Sequence, residues 1–95
     1  MTIAQRLRTR IADAEARADR LRQIAKHPTV HDEISAAKAH FREAGTWLDE
    51  KVETEIDGAT IENVEFALQL GERRLRHIEE ALDHFGPGAI LDTML

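Results

Sequence analysis

The sequence predicts an all-α fold, an up-down-up antiparallel three-helix bundle formed by a single domain of residues 1–95. Three observations carry that expectation. Apolar residues recur at steps of three and four through most of the chain, the period of a helix that buries one face. Two short interruptions, "KHPTV" and "IDGAT", separate the periodic stretches, and "FGPG" ends the last of them. Strand signals are missing, because β-branched residues neither cluster nor alternate over a useful length.

The first helix is expected over about residues 2–26, with Thr2 as its N-cap and Ala4, Leu7, Ile11, Ala14, Ala18, Leu21 and Ala25 on one face. Pro28 disfavours helix at His27 but suits the first position of the next helix. That second helix is expected over about residues 28–56, on Val30, Ile34, Ala37, Phe41, Ala44 and Leu48, drifting to Val52 and Ile56. Gly58 is expected to break it in a left-handed turn conformation. The third helix, about residues 60–85 after an N-cap at Thr60, carries Ile61, Val64, Leu68, Gly71, Leu75, Ile78, Leu82 and Phe85. A glycine followed by proline stops it, and the apolar tail "AILDTML" remains, residues 89–95.

Short loops make sequential helices antiparallel neighbours, and this arranges the core in levels. Leu21, Ile34 and Leu82 share one level, Ala14, Phe41 and Leu75 the middle one, and Leu7, Leu48 and Leu68 the third. The level of Ala18, Ala37 and Ile78 looks underfilled, open to a neighbouring chain or to a swung-in Trp47 or His40. The same map sets Gly45 opposite Gly71. Each glycine costs about 1 kcal/mol relative to alanine inside a helix, so two at one level suggest a close backbone approach, with Trp47 beside it. A kink or break of the second helix at Gly45, with Thr46 starting a new one, is the alternative to a continuous helix.

Composition narrows the function. The chain has no cysteine, which excludes disulfides, thiolate metal sites and a cysteine nucleophile. Its apolar runs are too short to span a bilayer, and charges fill the N-terminal stretch where a signal peptide needs an apolar core. A soluble protein in the cytoplasm, of a bacterium or of an infected host cell, is expected. Ala- and Arg-rich helices with few lysines point to a bacterial or phage origin. The net charge of −5 hides an asymmetry: residues 1–26 carry seven Arg/Lys against three Asp/Glu, and both later segments are acidic. A basic segment packed between acidic ones is expected to pair with them internally. It lacks the aromatic interleaving of a nucleic-acid surface, so neither nucleic acid nor membrane is an expected partner.

No catalytic constellation is recognisable. The single serine, Ser35, has no glycine-rich elbow, and no phosphate-cradling loop occurs, so no enzyme activity and no cofactor are expected. His77, Glu80 and His84 share a face of the third helix, which makes a His/Glu metal-binding bundle the alternative function. The leading expectation is a small non-catalytic protein-binding module of adaptor, chaperone, antitoxin or inhibitor type, whose partner is another protein or a second copy of itself. Its candidate contact residues are Phe66 and Leu70, set off the main apolar stripe at i and i+4, together with Trp47 and the basic Arg73 and Arg74. The tail adds Ile90, Leu91, Met94 and Leu95, which either fold back on the bundle or engage another chain.

Overall fold

Thr2 opens the first helix as its position suggests. Its side chain accepts from the Gln5 N–H and the Gln5 side chain accepts from the Thr2 N–H, a reciprocal capping box. The structure, a computed structural model, describes residues 2–50 and 56–91. Within them lie three helices and no strand: α1 (Ile3–Ile24), α2 (Pro28–Asp49) and α3 (Gly58–Phe85). At about 1.5 Å rise per residue the longest, α3, runs about 42 Å, consistent with Cα extents of 46 × 25 × 17 Å. The helices pack against one another as an up-down-up three-helix bundle, with α2 and α3 the most extensive pair.

Pro28 occupies the first turn of α2, and His27 caps it, its Nδ1 accepting from the Thr29 N–H at 3.2 Å. The helix continues through Gly45 without a break. Thr46 does not start a new helix: its hydroxyl donates to the Arg42 carbonyl at 3.0 Å, one turn back in the same one. α2 ends at Asp49, well short of residue 56. The Glu50 N–H donates to the Thr46 carbonyl and closes the last turn. That turn holds no basic residue, and Asp49 and Glu50 put negative charge at the negative end of the helix dipole. Residues 51–55, with Val52, lie outside the described residues, and Ile56 packs half-buried against the core beyond the helix.

The start of α3 departs from the sequence expectation. Asp57, not Thr60, is the N-cap; its carboxylate accepts from the Thr60 N–H and the Thr60 hydroxyl, each at 2.8 Å. An aspartate three residues before the amide it caps satisfies one of the four free N–H groups of a helix start. Gly58 is therefore the first helical residue and does not adopt a left-handed turn. The positive-φ glycine is Gly86, at φ 82°, which stops α3 after Phe85.

The core follows the apolar stripes. All seven expected positions of α1 and the first six of α2 are buried, as are Val64, Leu68, Gly71, Leu75, Ile78 and Leu82 of α3. Ala18, Ala37 and Ile78 are completely buried, so the level expected to be underfilled is closed by the three helices themselves. Phe85 departs from the pattern: it ends the helix and is 69% exposed. Gly45 and Gly71 do not face each other. Gly71 is covered by the Phe41 ring, and a Cβ there would lie 2.8 Å from Phe41 Cζ. A Cβ on Gly45 would meet no atom within 4 Å.

After Gly86 the chain folds back across the bundle end. The Lys26 N–H donates to the Pro87 carbonyl at 3.0 Å, and the Leu91 N–H to the Thr29 hydroxyl oxygen at 3.3 Å. Ala89 and Leu91 are buried and Ile90 is exposed. Met94 and Leu95 lie outside the described residues.

Candidate functional site: an uncovered face of the α2–α3 pair

Ion pairs show which flank of each helix meets which neighbour. Arg10 pairs with Glu72 (Nη2 to Oε1, 2.6 Å) and Arg17 with Glu79 (Nε to Oε2, 2.8 Å), both 62 positions apart. This is one residue from the spacing of Leu7/Leu68, Ala14/Leu75 and Leu21/Leu82, so α1 and α3 run parallel in the expected register. Arg17 donates through both Nε and Nη2, a fork on the Glu79 carboxylate. That hydrogen bond, opposed in part by burial and helped by the charges of Arg17, Arg20 and Arg76, holds the Glu79 carboxyl below the ordinary carboxylate range. Glu79 in turn raises the Arg17 guanidinium. The basic first helix pairs with the acidic third, as the charge pattern implies.

α1 therefore lies against the flank of α3 that carries Glu72 and Glu79. Lys38 reaches Asp19 of α1 at 2.7 Å, which fixes the α1-facing flank of α2. The other two flanks meet through Arg74 of α3 and Glu33 of α2. Glu33, His40 and Trp47 recur every seven residues and so share that flank of α2; Phe66, Leu70 and Arg74 recur every four and share the matching flank of α3. Phe41 over Gly71 sets the relative level of the two antiparallel helices, and six residues along α2 Trp47 falls level with Glu65 and Phe66. Trp47, Phe66 and Leu70 thus all lie on the sides of α2 and α3 away from α1.

Their exposure matches that placement. Phe66 is 64% exposed and Trp47 37%, while Leu70 is half-buried at the edge of the core. Arg73 and Glu62 are exposed on the same face of α3, and neither makes an ion pair among the described residues. Arg74 is tied to Glu33 across the helix pair, so of the two candidate arginines only Arg73 is without an ion pair among the described residues. The described tail residues, Ala89 to Leu91, do not join this face. Ile90 is exposed at the opposite end of the bundle, where Lys26 bonds to Pro87 and Leu91 to Thr29. Leu91 is packed inside and unavailable to a partner.

His77, Glu80 and His84 are exposed on the outer side of α3, and His84 stacks edge-on against Phe85 with ring centroids 4.6 Å apart. Among the described residues no group of three or more His, Asp or Glu side chains is arranged to hold a metal ion. His27 and His31 are occupied in structure, His27 as the α2 cap and His31 through Nε2 against the Ala25 carbonyl at 2.6 Å. A separate open groove of about 320 Å³ lies between the starts of α1 and α3, lined by Ile3, Arg6, Leu7, Arg10, Ile61 and Glu65. Its lining carries Glu65 and two arginines, of which Arg10 is paired with Glu72. Among the described residues no helix is long and apolar enough to cross a membrane. No known family, curated protein or solved structure matches the chain, so its own surface is the ground for a functional reading.

Proposed function

We propose that this protein is a small non-catalytic binding module, acting in the cytoplasm, that recognises another protein chain, a second copy of itself included, through the uncovered face of α2 and α3. The observation that carries this reading is the exposure of Phe66 and Trp47, with Leu70 half-buried, on the sides of α3 and α2 that no other helix covers among the described residues. Large aromatic side chains at a rigid helical surface supply contact area with few rotatable bonds, and such anchors dominate binding energetics. Phe66 contributes nothing visible to the bundle core, so its exposure has no packing reason. The surrounding charges, Glu62 and Arg73, suit a polar rim.

Adaptor, chaperone, antitoxin and inhibitor roles all require such a face and no reacting groups. The test uses the full chain and a Phe66→Ser/Leu70→Ser variant, compared by light scattering and by capture of partners from bacterial lysate. Association, with itself or with a captured protein, is expected for the parent chain and lost in the variant at unchanged helix content. A parent chain that stays monomeric and captures nothing overturns the proposal.

A further inference from the structure

We propose that the face binds a second copy of this chain, with the two α3 helices packed antiparallel across a two-fold axis near residue 68. The inference rests on the reading of Phe66 and Leu70 as a binding face and names what covers it. The ground is the self-complementarity of one stripe of α3. Reading along it, Glu62, Phe66, Leu70 and Arg73 succeed one another: a carboxylate, two apolar anchors, then a guanidinium. Glu62, Phe66 and Arg73 are exposed, and Glu62 and Arg73 have no ion-pair partner among the described residues.

A two-fold axis makes every contact occur twice, residue i on j and j on i. When two such stripes run antiparallel with Phe66 over the partner's Leu70, the same operation brings Glu62 to the partner's Arg73. The apolar pair lies at the centre and an ion pair closes each end. A parallel arrangement in register would instead set Glu62 against the partner's Glu62 and Arg73 against the partner's Arg73, which repels at both ends. Glu62 and Arg73 are about 16 Å apart along α3 at 1.5 Å per residue, about three turns, a span suited to two helices crossing at the commonest packing angle. Trp47 flanks the axis at the level of Phe66 and loses solvent when the second copy arrives. On α2, Glu43 and Glu50 are exposed beyond this centre, and a crossing angle of about −50° carries the two α2 helices apart there.

The experiment is sedimentation equilibrium on the full chain, on Arg73→Glu, and on the charge-swapped Arg73→Glu/Glu62→Arg variant, with circular dichroism as the check on folding. Both positions are exposed, so neither change disturbs the core. The parent chain is expected to dimerise in a concentration-dependent way, and the dimer to weaken as salt screens the end pairs. Arg73→Glu is expected to raise the dissociation constant at least about tenfold, by turning two attractions into repulsions, and the swapped variant to bring it back to within about threefold. A dimer indifferent to Arg73→Glu, or one that the swap fails to restore, overturns the antiparallel pairing. A monomeric parent chain that captures a different protein through Phe66 and Leu70 overturns the second copy as occupant but leaves the binding face standing. A monomer that captures nothing overturns both.

Discussion

The Phe41 ring sits on the bare backbone of Gly71, at the centre of the α2–α3 contact. Phe41 is completely buried, and a Cβ at position 71 would stand 2.8–2.9 Å from its ring carbons Cζ and Cδ1. Glycine at 71 is therefore a fit to one aromatic ring. Gly45, inside α2, has no such reason, since a Cβ there meets open space.

Opposite outcomes follow for the two glycine-to-alanine changes. Gly71→Ala is expected to destabilise the bundle by about 1–2 kcal/mol, overpacking against an immobile ring outweighing the better helix propensity of alanine. Gly45→Ala is expected to stabilise it by about 0.5–1 kcal/mol, because only propensity and backbone entropy change. Urea unfolding of the two variants checks both signs.

Asp57 caps the start of α3, accepting from both the amide and the hydroxyl of Thr60. Asp57→Ala is expected to cost about 1 kcal/mol, and Asp57→Asn to keep most of the cap. Thermal unfolding distinguishes them; equal loss in both variants would mean that charge, not the accepted hydrogen bond, matters there.

The Arg17–Glu79 pair gives stability a pH dependence with a definite sign. The folded-state carboxyl of Glu79 titrates below its ordinary value, first through the Arg17 hydrogen bond. Its contribution is therefore full above the ordinary carboxylate pKa and is lost as pH falls through the lowered folded value. Both side chains are about a third exposed, which limits the pair to less than about 1 kcal/mol. Glu79→Gln is expected to lower stability slightly at pH 7 and to converge on the parent chain in strong acid, as read by urea unfolding at a series of pH values.

Much of the fold is legible in the sequence because each helix buries a single stripe, and a stripe at steps of three and four admits one packing solution. The parallel register of α1 and α3 came within one residue of the Arg10–Glu72 and Arg17–Glu79 pairs because the loops are short. The level of α2 against α3 was less legible. Gly45 opposite Gly71 assumes a connection centred on Gly58, whereas α2 ends at Asp49 and α3 begins at Gly58, which slides α2 along α3 and sets Phe41 over Gly71. The end of α2 at Asp49 was missed because the apolar period runs on to Val52 and Ile56, and period outweighed the unfavourable acidic end. Phe66 was identifiable by its offset from the stripe. Placing Trp47 on the flank of α2 away from α1 needs the Glu33–Arg74 pair, which periodicity alone does not reveal.

The central claim is that the face bearing Trp47, Phe66 and Leu70 is a binding surface and not a part of the fold. Its most direct test pairs two readings on one variant, Phe66→Ser/Leu70→Ser: the molar mass of the species formed, alone and with captured partner, and the unfolding free energy. Phe66 is 64% exposed, so the expected result is loss of association with stability reduced by no more than about 2 kcal/mol, most of it from half-buried Leu70. A variant that associates as the parent chain does, or one that unfolds outright, would contradict the claim.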